Sequence, residues 1–289
     1  MRHDPRMEAF ERLEGRYEVR VLEPSPPAVA EGPWFADDPA ARGAVPAGRT
    51  LVSPVSSGDV TWNEFAGDDR ELAAWCADRW LGAWRRLAPL PDRFASCREV
   101  LHGYAEDTLK PAREAANGKI GLRYTRGGFG TPFFGADEQT RVEGPELVRV
   151  EGGEEASREP IGGVGAEAAA ALADWYGFVT SVLEELRARA GPELEASRAQ
   201  LWPEHFDVST ELGADAAGAR AGYGGSPGDD DHDEPYLYVV PWTAEPEGEL
   251  WGAEGFVGAE LPYADLMVAD NQRATALDFF ATRLRALTA

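Results

Sequence analysis

Segments with helical and with strand periodicity fall in separate blocks along this 289-residue chain, and that order most constrains its fold. Apolar residues at helical spacing predict four main helices, over 69–88, 93–116, 166–190 and 271–287. Alternating apolar and polar residues predict strands in two regions, 119–151 and 205–257. A doubly wound parallel sheet needs strict alternation of strand and helix, which is missing here. We therefore expect an α+β fold: a single large domain whose mostly antiparallel sheet packs against amphipathic helices.

Residues 1–67 are predicted to form an irregular N-terminal wrap with one strand at Tyr17–Leu22, around a core domain formed by 68–289. Pro111 is expected to kink or split the second helix, because proline cannot donate a helical hydrogen bond. Gly144-Pro145 predicts a hairpin turn. Glycine-rich composition predicts loops or turns elsewhere, over 126–135, 153–163 and 224–228. A shorter helix carrying Leu194 and Leu201 is predicted after the longest one.

Charge and cysteine content exclude several classes of partner. The net charge of −23 opposes binding to nucleic acid and to anionic membrane surfaces, both of which need a basic surface. No apolar run is long enough to span a bilayer, and the N-terminal residues lack the apolar core of a signal peptide. Cys76 and Cys97 fit no metal or redox spacing. We expect a cytoplasmic protein with reduced thiols.

Residues 224–228, GGSPG, match the G-x-S-x-G pattern of hydrolase nucleophile turns. That chemistry needs the backbone N–H of the residue after the serine, and Pro227 has none. It also needs a helix after the serine, whereas an acidic run follows. The match therefore predicts a turn and no nucleophile.

The acidic run DDDHDE at 229–234 resembles the start of a calcium-binding EF-hand loop, but Glu234 and Val240 stand where that loop requires Gly and Glu. A different divalent-metal site remains open, because clustered carboxylates repel one another unless water or a cation neutralises them. Its candidate ligands are Asp229, Asp231, His232 and Asp233. A solvated loop is the favoured interpretation. We expect no cofactor, with a divalent metal ion as the alternative.

The stretch EHFDVSTE at 204–211 is the second one that contains candidate catalytic or ligand-binding side chains. As a strand it would point His205, Asp207 and Ser209 to one face. A histidine and an aspartate so placed can bind a ligand, chelate a metal or form a structural hydrogen-bonded pair. If this strand folded back beside 235–242, the acidic run would lie near one of its ends. Arg123 and Arg126, beside a glycine-rich turn, are further candidates for holding an anionic ligand.

Three stretches, GLRYTRGGFGTPFFG, LWPEHFDVSTELG and GYGGSPGDDDHDEPYLYVVPW, resemble a family of uncharacterised bacterial proteins, chiefly actinobacterial. The resemblance covers about Trp62 to the C-terminus. The HFD and EPYLYV strands are also similar to a more distant group of domains of unknown function. The resemblance implies a cytoplasmic bacterial protein and assigns no catalytic residue.

Three functions remain open at this point. The first is binding of a small molecule in an aromatic-lined pocket that includes His205 and Arg123. The second is a metal-dependent hydrolase that uses His205, Asp207 and the 229–234 acids. The third is a non-enzymatic interaction protein whose aromatic segments 129–134 and 235–242 meet a partner. Whether the protein is an enzyme and which oligomer it forms are left open.

Overall fold

The computed structural model describes the chain from residue 86 onward. The described ranges are 86–125, 127–131, 138–151, 154–190, 192–197, 199–243, 246–253 and 255–289. The predicted N-terminal wrap, its strand and most of the helix predicted at 69–88 lie outside these residues. Residues 86–90 have no regular secondary structure, so the predicted helix does not extend to residue 88.

A broken helix follows, as the proline predicts. Helix α1 spans Phe94–Tyr104, a π-helical turn spans Ala105–Leu109, and helix α2 spans Lys110–Asn117. Pro111 has no N–H to donate to the carbonyl of Asp107, and its ring crowds that carbonyl, so the chain widens in the turn just before it. Gly118 ends α2 in the left-handed conformation, with a φ of 71°.

The first sheet is a five-stranded antiparallel meander with strands in the order β1 to β5. Its strands are Arg123–Thr125, Gly128–Gly130, Gln139–Glu143, Glu146–Glu151 and Glu154–Pro160. The predicted hairpin around Gly144-Pro145 is confirmed between β3 and β4.

Two loop predictions in this sheet are wrong. Gly128 and Gly130 lie in β2 because β3 passes so close that a Cβ on Gly128 would come 2.1 Å from the Val142 carbonyl oxygen. Phe129 between them is fully buried. Strand β5 lacks apolar alternation because it lies at the sheet edge, where Arg158 bonds to glutamates of β3, β4 and β5 instead.

The second sheet is also a five-stranded antiparallel meander, in the order β6 to β10. Its strands are Gln200–Trp202, Asp207–Leu212, Ala221–Ser226, Tyr236–Pro241 and Ala259–Pro262. The predicted short helix near Leu194 is only the 3-10 turn Pro192–Leu194, since Leu201 belongs to β6. The glycines predicted as a turn belong mostly to β8, and only Pro227 and Gly228 turn out of it.

Helix α3, Ala166–Ala188, lies at the centre of the fold, as the apolar stripe of its sequence predicts. It packs against β1 and β2 of the first sheet, β7 and β8 of the second, and helix α1. Trp175, Tyr176 and Phe178 are fully buried on it. Helix α4 spans Tyr263–Val268, and helix α5, Gln272–Thr288, starts where the Asn271 side chain accepts a hydrogen bond from the N–H of Ala274.

The α+β architecture of one domain is thereby confirmed, with two antiparallel sheets in place of the single sheet expected. The sheets meet where Leu122, beside β1, exchanges backbone hydrogen bonds with Leu201 of β6. Within the part of the chain that the structure describes, no helix is long and apolar enough to cross a bilayer.

Candidate functional site

A cleft of about 760 Å³ lies on the face of the second sheet that points away from α3. Strands β7, β8 and β9 form its floor and helix α1 forms one wall. Residues 229–231 of the acidic run and Phe256, before β10, form the other walls. Its size falls in the range of about 300–1,000 Å³ that is usual for small-molecule sites.

Strand register decides which side chains reach this cleft. Ser226 pairs with Tyr236 and Gly224 with Tyr238, so the two tyrosines stand beside the residues of β8 that face the cleft. Asp207 occupies the same face of β7. The intervening residues point the other way, where Gly225 meets Val179 of α3 and Leu237 is fully buried. One face of the sheet therefore builds the core and the other builds the cleft.

Asp207 and Tyr238 are joined across the strand that separates them. The hydroxyl of Tyr238 on β9 donates a hydrogen bond to Oδ2 of Asp207 on β7. The tyrosine ring passes over Gly224 of β8, where an added Cβ would lie 2.4 Å from the ring and its hydroxyl oxygen. Only glycine at position 224 leaves room for this bond.

Asp207 is a buried carboxylate with one oxygen left unpaired. Its exposed fraction is 5%, and its Oδ1 has no hydrogen-bond partner among the described residues. Burial raises the pKa of Asp207 to about 6, against the smaller opposing effects of the Tyr238 hydrogen bond and the His205 charge. A carboxylate held in this way is poised to exchange a proton near neutral pH or to receive a donor from a ligand.

His205 reaches the cleft from a turn and not from a strand. Strand β7 begins at Asp207, and residues 203–206 form the tight turn between β6 and β7. The prediction that His205 alternates with Asp207 on one strand is therefore wrong, although both side chains line the cleft. The imidazole of His205 is exposed at the mouth, whereas Asp207 lies in the floor.

Phe206, between those two residues, has a φ of 54°, which is unusual for a side chain of its size. Its ring stacks on His102 of α1 and meets Phe129 and Tyr176 edge-on. Its carbonyl accepts a hydrogen bond of 2.6 Å from the Tyr176 hydroxyl. These contacts hold the turn in a strained conformation that directs Asp207 to the cleft.

Within the acidic run, the carboxylate of Asp229 is used by the loop itself. Its Oδ1 accepts hydrogen bonds from the N–H groups of Asp231 and His232, both 2.9 Å, and lies 3.0 Å from Nδ1 of His232. Its Oδ2 accepts the Tyr236 hydroxyl at 2.6 Å. Burial raises the pKa of Asp229, but the hydrogen bonds from Tyr236 and His232 outweigh it and leave the pKa below its usual value.

His232 is held equally firmly. Its ring lies against Tyr236, with centroids 4.3 Å apart, and its Nε2 lies 3.3 Å from Oε2 of Glu260. Burial lowers its pKa, but the hydrogen bond to Asp229 and the charges of Asp229 and Glu260 outweigh burial and raise the pKa overall. Asp231 and Asp233 are exposed. Among the described residues, no three His, Cys, Asp or Glu side chains are grouped to hold a metal ion, and the predicted metal ligands stay a prediction.

Arg98 ties the acidic run to helix α1. Its guanidinium donates to the carbonyl oxygens of His232 at 3.2 Å and Asp229 at 3.3 Å. Gly228 makes room for it, since a Cβ there would lie 2.3 Å from a guanidinium nitrogen. The buried guanidinium of Arg98 therefore supports the acidic loop from helix α1.

The arginines predicted to hold an anion do not gather at the cleft. Arg123 is buried in β1 and donates to the side-chain oxygen of Gln200 at 3.2 Å, and it is not among the residues that line the cleft. Arg126 lies outside the described residues. Ligand binding by either arginine stays a prediction.

The sequence predicted an aromatic-lined pocket, but it did not identify which aromatic residues form it. Tyr236, Tyr238, Trp242 and Phe256 all line the cleft. The alternation in EPYLYVVPW carried the signal, because it places Tyr236, Tyr238 and Val240 on one face of β9. Gly222 and Gly224 gave a second signal. Two glycines two residues apart on a strand leave space on one face of the sheet, where a ligand or a side chain can approach. Phe256 and Arg98 could not be found in this way, because only the folded chain brings them to β9.

Comparison with protein-family models, curated proteins and solved structures gave no match to this chain, so its function is inferred from the cleft itself.

Proposed function

We propose that this protein binds a small organic molecule in the cleft over β7, β8 and β9. The observation that carries the proposal is Asp207: a buried carboxylate with one unpaired oxygen, in the floor of an aromatic-lined cleft of about 760 Å³. Leaving a buried acceptor unpaired costs about 1–3 kcal/mol, a cost that a bound donor would remove.

The composition of the lining supports this function. Small-molecule sites combine apolar and aromatic walls with a few polar groups that fix orientation. Here Tyr236, Trp242 and Phe256 supply aromatic surface, while Asp207 and His205 supply polar groups at the floor and at the mouth. We also propose the cytoplasmic location expected from the composition. Nucleic acid and membranes are not proposed as partners, because the net charge of −23 opposes binding to both.

The two other functions have less support from the geometry. A metal-dependent hydrolase would use His205, Asp207 and the 229–234 acids. In that loop, Asp229 and His232 already bind each other, and Asp229 also accepts the Tyr236 hydroxyl. An interaction protein would need exposed aromatic residues in both predicted segments. Trp242 of segment 235–242 is 54% exposed, but Phe129 of segment 129–134 is buried in the core.

Blocking the cleft without disturbing the fold tests the proposal. A Cβ on Gly222 would meet only the Val240 carbonyl oxygen, at 3.9 Å, so Gly222→Leu would direct its side chain into the cleft. A matched control is Gly162→Leu, since Gly162 is exposed and has nothing within 4 Å of its added Cβ.

A fragment library screened by saturation-transfer NMR against the full chain is expected to yield binders that Gly162→Leu retains and Gly222→Leu loses. Circular dichroism would confirm that both variants are folded. Equal binding by both variants, or no binder to the unmodified protein, would rule out the cleft as the binding site.

A further inference from the structure

We infer that the ligand of this cleft is an organic cation, an aromatic or alkyl amine whose ammonium group is held by Asp207. The inference rests on the proposed binding function and narrows it to a chemical class. Three independent features of the cleft point to that class.

The first feature is the charge of the lining. Carboxylates greatly outnumber cationic side chains around the cleft, as Glu99, Glu204, Asp207, Asp229, Asp230 and Asp231. The guanidinium of Arg98 is spent on two backbone carbonyls of the acidic loop. An anionic ligand would meet repulsion on every side, whereas a cation would be attracted before it made contact.

The second feature is the unpaired oxygen of Asp207. Its Oδ2 is satisfied by Tyr238, but its buried Oδ1 lacks a donor among the residues that the structure describes. A ligand with an N–H donor and a positive charge would satisfy this oxygen with a charge-assisted hydrogen bond.

The third feature is the aromatic surface around that carboxylate. The faces of tyrosine and tryptophan rings attract cations, and this attraction strengthens where water is excluded. Tyr236 and Tyr238 flank Asp207, whereas Trp242 stands at the other end of β9, with the Arg220 guanidinium 5.6 Å from its ring centre. The two tyrosine rings beside Asp207 are therefore the aromatic surface that a bound cation would meet.

A bare metal ion fits these features less well. Calcium and magnesium need several oxygen ligands at short distances. In the described part of the chain, no trio of potential metal-ligating side chains is assembled around Asp207. The aromatic rings would offer a metal ion nothing, whereas they match the carbon skeleton of an amine.

Three probes of matched shape test the inference: phenethylamine, phenethyl alcohol and 3-phenylpropionate, each titrated into the full chain by calorimetry at pH 8. We expect the amine to bind at least about tenfold more tightly than the alcohol, and the carboxylate not to bind. The Asp207→Asn variant should lose the preference for the amine and keep the affinity for the alcohol. The Glu159→Gln variant removes an equal charge from exposed β5, outside the cleft, and should keep the preference.

Alcohol or carboxylate binding as tight as the amine would overturn the inference while leaving a binding cleft in place. Loss of the preference in Glu159→Gln as much as in Asp207→Asn would also overturn it, because the selectivity would then come from the overall charge of the protein. Calcium or magnesium alone raising the melting temperature, in a manner that Asp207→Asn abolishes, would overturn it in favour of a metal site. Amine binding that persists unchanged in both Asp207→Asn and Gly222→Leu would place the probe outside the cleft and overturn the proposed function as well.

Discussion

Asp207 is charged at a position where burial disfavours the charge. Its pKa of about 6 means that the folded protein binds this proton more tightly than the unfolded chain does, with its ordinary value of 3.8. The stability that Asp207 contributes is therefore fully present below about pH 4 and is lost as the pH rises through about 6. Such a cost is typical of functional sites, which give up stability for binding.

Replacing Asp207 by asparagine should therefore stabilise the protein at high pH relative to the unmodified chain. The difference in melting temperature between Asp207→Asn and the unmodified protein should widen from pH 4 to pH 7 and then level off. A pKa rise of about two units corresponds to about 3 kcal/mol, so the difference should grow by several degrees. Differential scanning calorimetry across this range measures it, and a difference that is constant with pH would contradict the expectation.

Tyr238 holds the pKa of Asp207 down through its hydrogen bond. Tyr238→Phe should therefore raise that pKa above about 6, as measured by carboxyl carbon NMR during a pH titration. Tyr223→Phe is the matched control, because the Tyr223 hydroxyl is buried on the opposite face without a hydrogen-bond partner in the described residues. An Asp207 pKa that responds alike to both variants would show that the bond to Tyr238 has no electrostatic effect.

Individual site residues were predictable only where they carry their own chemistry. The sequence pointed to Asp207 and His205 because carboxylate and imidazole groups stand out in a strand-like segment. It could not show that Asp207 is buried with an unpaired oxygen, since that depends on Tyr238, a residue distant along the chain. The engaged state of Asp229 was hidden for the same reason: the Tyr236 hydroxyl and two backbone N–H groups reach it only in the folded loop.

At the scale of elements, strand β8 owes its glycines to its neighbours on both faces. Gly224 leaves space for the Tyr238 ring on the cleft face, and Gly225 leaves space for Val179 of α3 on the core face. Glycine usually weakens a strand. In β8 this loss of strand stability is offset by packing: helix α3 approaches one face closely, and the Tyr238 ring approaches the other.

Gly224→Ala and Gly222→Ala should therefore differ sharply, although the two positions lie on one face of one strand. A methyl group at 224 collides with Tyr238 and with Cβ of Ser209, whereas a methyl group at 222 meets open space. We expect Gly224→Ala to cost roughly 1–3 kcal/mol in urea unfolding and to abolish amine binding. Gly222→Ala should change stability by less than about 0.5 kcal/mol. Similar losses in both would contradict the predicted position of the tyrosine ring.

The acidic loop depends on helix α1 through Arg98. Arg98→Gln removes a guanidinium that bonds to two loop carbonyls. Amide hydrogen exchange of residues 229–232 should then quicken by about tenfold or more, because the carbonyls lose bonds of about 1.5–3 kcal/mol each. Arg149→Gln, at an exposed site on β4, is the control and should leave the exchange unchanged. Unchanged exchange in Arg98→Gln would show that Asp229 alone holds the loop.

Elements with apolar periodicity were predictable nearly to the residue. The helices predicted at 166–190 and 271–287 are Ala166–Ala188 and Gln272–Thr288, because their apolar faces meet the core and define their own length. Elements held by other forces were missed. Strand β5 depends on Arg158 and its glutamate partners, and β8 depends on the close approach of neighbours, so neither shows alternation in its sequence. Among the described residues of 248–261, which the sequence predicted as mainly β, only those from Ala259 onward lie in a strand, Ala259–Pro262.

At the scale of the molecule, two sheets share one central helix. The blocks of helix and strand signals correctly predicted the α+β class. They could not distinguish one sheet from two, because strand pairing is set by α3 packing against β1, β2, β7 and β8 in space. The backbone bridge between Leu122 and Leu201 has no counterpart in the local sequence pattern.

The charge of −23 should make stability depend on salt. Mutual repulsion of like charges opposes the compact state, and salt screens it. Raising sodium chloride from about 0.01 M to about 0.15 M shortens the screening length from about 30 Å to about 8 Å, so the melting temperature should rise. Potassium chloride should have the same effect, which separates screening from specific sodium binding. A fall in melting temperature would show that favourable ion pairs outweigh the repulsion.

The bond from Tyr238 over Gly224 to Asp207 also has a mechanical meaning. It joins β7 to β9 through their side chains, while backbone hydrogen bonds join each of them to β8. The three strands are therefore connected twice, once through the backbone and once through side chains. The outer strands β6 and β10 have no share in that brace and can fray without it. A ligand bound to Asp207 would therefore act on β7, β8 and β9 together, and the floor of the cleft would move as one rigid unit.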